Sequence, residues 1–195
     1  MTPENVVVVG GGLGGVSTCI ELRRLGYAGA ITLVDPGRLL HDRPPLSKEF
    51  LLGGIDTDGL RLQSDEWFAE NNVTVRTGES VVRVVAADPS QQGYAELADG
   101  SRIPADAVVL ATGGTARRLP VPGGEGPRVH YLRTLDDAER LRPALVPGAR
   151  VMVVGGGLIG AEIAATAQAL GCTVTLTDPV LPLEAGLGAD LATWL

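Results

Sequence analysis

Residues 6–26 read VVVVGGGLGGVSTCIELRRLG, and residues 151–171 read VMVVGGGLIGAEIAATAQALG. Laid over each other at an offset of 145, the two windows agree at ten of 21 positions. Each opens on a short aliphatic run of the kind that forms a buried strand. Each continues into a G-x-G-x-x-G turn, at Gly10, Gly12 and Gly15 and again at Gly155, Gly157 and Gly160. A helical stretch follows, ending at Gly26 or Gly171 in the place of a C-terminal cap. A second β-branched run then finishes on Asp35 or Asp178, 20 and 18 residues after the last motif glycine.

A single glycine motif is a weak signal, because Gly-rich turns are common. Strand, tight turn, helix, strand and acid together are the full context of a dinucleotide fingerprint, and here that context occurs twice. The first glycine permits the turn and the second lets backbone approach a pyrophosphate. The third lets helix pack closely on strand, and the helix N-terminus faces the phosphates. The acid at the strand end is placed to hydrogen-bond ribose hydroxyls, and it repels a 2′-phosphate, so Asp178 favours NAD over NADP. A solvated turn carboxylate is the ordinary alternative for either acid. The predicted class is α/β, with two Rossmann-like dinucleotide-binding units.

Composition narrows the function classes. The 195 residues carry a net charge of −7, and their 16 basic residues are arginines apart from one lysine, Lys48. An acidic chain with scattered arginine is a poor phosphate-backbone binder, which argues against nucleic acid. The 40 Gly and Pro residues are offset by 45% hydrophobic residues, so the chain reads as globular. No apolar run approaches the ~18 residues of a membrane span, and the first five residues carry no positive n-region. A cytoplasmic protein is expected. Two cysteines, Cys19 and Cys172, supply neither a disulfide framework nor a metal-ligand spacing. Only seven residues are aromatic, so the core must be built from Val, Leu, Ile and Ala, as suits parallel strands.

Between the repeats, Pro44-Pro45 fixes an extended segment, and Ser47 is placed to cap a short helix from Lys48 that Gly53-Gly54 ends. A helix is expected over 63–72 and strands over 73–77, 80–86, 93–97 and 106–111, with Asp99-Gly100 closing a hairpin onto 101–103. The Pro- and Gly-rich stretch Arg117–Arg128 reads as an inter-domain crossing. Thr134 opens a capped helix running to about Leu145. After Asp178 there is room for a loop and a short helix. A doubly wound domain uses about three more strands than the second copy supplies, so the fold is expected to be C-terminally incomplete.

The segments GGGLGG (10–15), LVDP (33–36), RPPLSKEFL (43–51), ATGG (111–114), YLRTLDDAERL (131–141) and VVGGGLIGAEIA (153–164) together carry a resemblance. The chain resembles the N-terminal half of the ferredoxin-reductase group of two-dinucleotide flavoproteins, which supplies electrons to bacterial cytochrome P450 systems and Rieske oxygenases. The resemblance covers essentially all residues, and RPPLSK with YLRTLDDA is more specific than either glycine motif. It implies an FAD-binding domain over 1–115 and an NAD(P)-binding domain over 116–195, each in its N-terminal part. It further implies hydride transfer from NADH to FAD and delivery of electrons to an iron–sulfur protein such as a ferredoxin.

By that resemblance Gly10, Gly12, Leu13, Gly14 and Gly15 cradle the FAD pyrophosphate, and Asp35 holds its adenosine ribose. Arg43 and Lys48 match positions beside the pyrophosphate and isoalloxazine, Val81 a backbone contact to adenine, Ala111 and Thr112 the strand end beside the flavin, and Arg133 an FAD-contacting arginine. Gly155, Gly157, Ile159, Gly160 and Asp178 would hold NADH. Glu162 matches a carboxylate that pairs with Lys48, making these two the candidate catalytic residues. The pair is expected to be buried, so that removing one member costs ~3–5 kcal/mol and the two matter together. Read without the resemblance, Lys48 is a solvated surface lysine, Glu162 an exposed carboxylate in the first helical turn, and Arg133 a surface residue at a helix start.

The departures from the pattern are as informative. Family members run to about twice this length, and the Gly-Asp pair that binds their ribityl and phosphate region has no counterpart here. A dinucleotide-binding half without turnover is therefore one alternative. A flavin disulfide reductase or NADH oxidase is another, disfavoured because the loop after Asp35 has no cysteine.

Overall fold

The computed structural model describes residues 2–88 and 91–194, the last of them by its backbone. In chain order, β1 (Asn5–Val9), α1 (Leu13–Arg24) and β2 (Ala30–Asp35) form the first repeat. A 3-10 turn (Pro44–Ser47) and α2 (Glu49–Leu52) follow, then α3 (Asp65–Glu70), β3 (Val73–Thr77), β4 (Val81–Val85), β5 (Tyr94–Leu97), β6 (Arg102–Pro104) and β7 (Ala107–Leu110). The chain continues through α4 (Leu135–Leu141), β8 (Arg150–Val154), α5 (Leu158–Ala169) and β9 (Thr173–Thr177) to α6 (Glu184–Leu187) and α7 (Ala189–Trp194). It divides into two compact units: residues up to Asp42 with Arg61–Gly114, and Arg43–Leu60 with the chain from Thr115 onward. No helix among the described residues is long and apolar enough to cross a membrane.

The first unit is built on a four-stranded parallel sheet in the order β3-β2-β1-β7. Four consecutive valines make β1, and because strand side chains alternate, they feed two different cores. Val6 and Val8 pack with Val16, Cys19, Leu33 and Phe68 on the helical side. Val7 and Val9 pack with Ala95, Leu97 and Ile103 on the other side, beneath the antiparallel sheet β4-β5-β6. Burial on both faces is why β1 reads as an unbroken apolar run. The predicted hairpin at Asp99-Gly100 is present, with Gly100 at φ +84° and the Ser101 amide donating to Asp99 Oδ1 at 2.9 Å.

The second unit repeats the plan with fewer parts. β8 pairs with β9 in parallel, and α5 packs on both. α2 and the 3-10 turn before it pack on α4 and α5, burying Leu46, Phe50 and Leu51 there with Leu135, Ala138, Ile163 and Ala167. The capping box at Thr134 is present: the Asp137 amide donates to Thr134 Oγ1 at 3.2 Å, and the Thr134 amide to Asp137 Oδ2 at 2.9 Å. Among the described residues nothing covers the other sheet face. Met152 and Val154 are 68% and 55% exposed, whereas their first-copy counterparts Val7 and Val9 are 1% and 7% exposed under β4-β5-β6.

Several boundaries differ from the sequence reading. α3 spans Asp65–Glu70 rather than 63–72, because the Ser64 hydroxyl caps it by accepting the Trp67 amide at 3.2 Å and Asn72 leaves helical space at φ +51°. α4 ends at Leu141 and tightens into a 3-10 turn over Arg142–Ala144, since Pro143 has no N–H to continue the ladder. Ser47 caps no helix. The N-cap of α2 is Lys48, without a side-chain cap, and the Ser47 hydroxyl points elsewhere.

One side chain ties the first unit together. Arg23, in the last turn of α1, donates to four carbonyls: Tyr27 at 2.6 Å, Asn71 at 2.7 Å, Gly29 at 2.9 Å and Asn72 at 3.0 Å. Its rigid fork joins the α1–β2 connection to the α3–β3 connection. Its neighbour Arg24 reaches, among the described residues, only the exposed Glu21, at 2.7 Å. Arg23→Ala should therefore lower the unfolding free energy by about 2–4 kcal/mol, and Arg24→Ala should change it by no more than about 0.5 kcal/mol, as read from denaturant titrations.

Candidate functional site

Both glycine turns are the same object. Gly10 sits at φ +106° and Gly155 at φ +104°, a conformation that L side chains rarely adopt. The Gly10 amide donates to Val34 O and the Gly155 amide to Thr177 O, each at 2.8 Å, which ties the turn to the second strand. The middle glycine then meets the acid at that strand's end. Gly11 N–H donates to Asp35 Oδ2 at 2.6 Å, and Gly156 N–H donates to Asp178 Oδ2 at 2.6 Å. The other carboxylate oxygen accepts a following amide, from Gly37 at 2.7 Å or Val180 at 3.0 Å. These amides, Gly156 foremost, hold the Asp178 carboxyl below the usual carboxylate range, so it stays charged at neutral pH.

A carboxylate offers about four lone-pair sites, so about two remain on each acid for ribose hydroxyls. The acids are thus part of the turn as well as candidate ligands. The third glycine shows why it has no side chain: a Cβ on Gly15 would lie 1.8 Å from Gly10 O, and one on Gly160 would lie 1.9 Å from Gly155 O. A Cβ on Gly157, by contrast, would meet nothing within 4 Å. That open approach, at the N-terminus of a twelve-residue helix, is what a pyrophosphate requires. Among the described residues no side chain caps α1 or α5, and neither has an acid in its first turn. The residues fit a dinucleotide in both units.

In the first unit the remaining sequence candidates gather around the same strand ends. Ala111 follows β7, its amide bonded to Val9 O at 2.8 Å, and a Cβ on Gly10 would lie 2.3 Å from Ala111 O. Leu13, Gly14 and Thr112 are exposed there, while Val81 starts β4 and packs on the core under Val7. In the second unit, Arg43 precedes the 3-10 turn, Ile159 is exposed in the first turn of α5, and the Arg133 amide donates to Asp137 Oδ2 at 3.1 Å beside the capping box.

The second unit also brings Lys48 and Glu162 together, Nζ to Oε1 at 3.2 Å. Glu162 is the fifth residue of α5, just past the first helical turn in which the sequence reading put it. The pair is not buried. Its side chains are 40% and 34% exposed, so the coupling belongs near the ~1 kcal/mol of accessible pairs rather than the ~3–5 kcal/mol of buried ones. The second Glu162 oxygen, Oε2, accepts the hydroxyl of Ser47, whose carbonyl in turn accepts Thr166 Oγ1 at 2.8 Å. Sequence reasoning missed both Ser47 and Thr166 in this role. The available signal was the four-residue spacing of Glu162 and Thr166, which puts them on one face of the helix.

Neither cysteine is placed for thiol chemistry. Both are free and buried. Burial pushes the Cys19 thiol up to about 11, leaving it protonated at neutral pH. Cys172 Sγ lies 3.4 Å from Val146 O.

Two βαβ units with matching glycine turns, each locked to an acid, define a duplicated Rossmann-type α/β fold. The chain belongs to the pyridine nucleotide-disulphide oxidoreductase family, whose sequence profile matches residues 4–194. It is 40% identical, over 98% of its length, to the ferredoxin–NAD(+) reductase subunit of a benzene 1,2-dioxygenase system from Pseudomonas putida, of which it covers 46%. It is 41% identical over 90% of its length to putidaredoxin reductase from the same organism, covering 42% of that protein. Among solved structures it is similar to the reductase in a covalent putidaredoxin reductase–putidaredoxin complex, with a TM-score of 0.88 and 38% identity over 98% of this chain and 46% of that one. The chain spans about half the length of the curated relatives it matches.

The two kinds of glycine separate experimentally. Gly160→Ala should lose at least about 2 kcal/mol of stability, since backbone must move to admit the methyl group. Gly157→Ala should stay within about 1 kcal/mol of the parent in the same urea titration.

Proposed function

We propose that the chain binds FAD through its first glycine turn and NADH through its second, and serves an NADH-dependent flavoprotein reductase of the ferredoxin-reductase type. The observation that carries this reading is the duplicated turn, with its acid–glycine bond at 2.6 Å in both copies and the open approach at Gly157. In domain terms, residues 1–115 contribute to the FAD domain and 116–195 to the NAD domain. The acceptor is an iron–sulfur protein of ferredoxin type, and the setting is the cytoplasm. The names of the relatives, a dioxygenase-system ferredoxin–NAD(+) reductase and a putidaredoxin reductase, support the acceptor class.

In this reading Gly10, Gly12, Leu13, Gly14 and Gly15 line the flavin pyrophosphate, and Asp35 takes the ribose. Val81, Ala111, Thr112, Arg43 and Arg133 complete the FAD contacts. Gly155, Gly157, Ile159 and Gly160 receive the nicotinamide dinucleotide, and charged Asp178 disfavours a 2′-phosphate. When bound, the two cofactors supply hydride transfer and one-electron chemistry of their own. Lys48 contributes a cation that steadies negative charge, and Glu162 orients it.

A second reading is dinucleotide binding without turnover. One experiment separates the two. The purified chain incubated with FAD should retain absorbance near ~450 nm, and NADH should bleach it under anaerobic conditions. Yellow protein that NADH leaves unbleached supports binding alone, and protein that stays colourless with added FAD contradicts the flavoprotein reading.

A further inference from the structure

We propose that Thr166 and Ser47 are positioning residues for the Lys48–Glu162 pair, fixing the direction in which the only lysine of the chain leaves the backbone. The proposal rests on the reading above, in which Lys48 supplies a cation that Glu162 orients.

The observation is a departure from ordinary helix chemistry. A helical threonine usually turns its hydroxyl back onto its own helix. Two in this chain do so: Thr18 Oγ1 donates to Gly14 O, and Thr193 Oγ1 donates to Ala189 O, each at 2.7 Å. Thr166 does not. Its hydroxyl is buried and donates at 2.8 Å to the carbonyl of Ser47, 119 residues earlier in the chain. One turn before it on the same face, Glu162 accepts the Ser47 hydroxyl on Oε2 and the Lys48 ammonium on Oε1.

Ser47 is therefore held at two points, carbonyl and hydroxyl, by residues four apart on α5. Lys48 follows it directly, and its own amide donates to Pro45 O at 3.1 Å. With Ser47 clamped, the start of the lysine side chain is fixed in place. Without the Thr166 hydroxyl, Ser47 O loses a partner in a site closed to water, the 3-10 turn loosens, and Lys48 leaves Glu162 for solvent. Ser47 is buried along with Thr166, so the clamp is shielded from water although the ion pair is not.

Because the chain has a single lysine, amine acylation reads this site directly. The cofactor-free chain is treated with N-hydroxysuccinimidyl acetate, and the peptide carrying Lys48 is followed by mass spectrometry, apart from the N-terminal amine. Thr166→Val and Ser47→Ala should each raise the acylation rate of Lys48 by about threefold, approaching Glu162→Gln. Thr166→Ser, which restores the hydroxyl, should return the rate to within about twofold of the parent. If Thr166→Val does not give the parental circular dichroism spectrum, Ser47→Ala decides, since it cuts the other arm of the clamp. Folded Thr166→Val or Ser47→Ala reacting at the parental rate overturns the proposal, as does Glu162→Gln reacting at that rate. The readout needs neither FAD nor NADH, so a chain that fails to bind flavin leaves this test intact.

Discussion

In each unit a carboxylate at the end of the second strand accepts the amide of the middle glycine of the turn, at 2.6 Å both times. The rest of the site depends on that bond. It holds the turn against the strand, so that the third glycine of the motif can close on the carbonyl of the first. Helix packing and the aim of the helix N-terminus follow from that closure. Losing the acid would leave a largely enclosed N–H unpaired, at a cost of about 1–3 kcal/mol. The residue proposed to select the ribose is also the one that sets the loop, so on that reading recognition and folding share one side chain.

The two copies use this constraint in different surroundings. In the first, β7 runs beside β1 and brings Ala111 against Gly10, so that glycine is required by contact as well as by its φ. In the second, Gly155 keeps the same conformation with nothing near its Cβ position, so backbone geometry alone requires it. The sheet faces differ in the same way, covered by β4-β5-β6 in the first unit and exposing Met152 and Val154 in the second. Near-identical turns therefore persist under different packing, which locates their determinants in the local sequence.

That locality explains what was legible. The strand–turn–helix–strand units, the C-terminal glycines at positions 26 and 171 and the Thr134 capping box each depend on residues close in sequence. Arg23 looks like any basic residue in a last helical turn, because its partners Asn71 and Asn72 lie 48 and 49 residues away. Ser47 reads as a helix cap, but the helix starts after Lys48 and the Ser47 hydroxyl donates to Glu162 on α5, 115 residues on. Segment 43–60 groups with the second unit because Leu46, Phe50 and Leu51 are buried against α4 and α5, a pairing that no local pattern announces. The expected strength of the Lys48–Glu162 pair was too high because the family resemblance that supplied the partner did not supply its exposure.

The central claim is that one chain carries two working copies of a dinucleotide unit, one for each of two different dinucleotides. Native mass spectrometry of the chain with FAD and NAD(+) present tests it most directly. The account predicts a species holding one FAD and one NAD(+) per chain, and either dinucleotide alone should give single occupancy. A chain that takes up only one dinucleotide in total, with FAD and NAD(+) displacing each other, would contradict it.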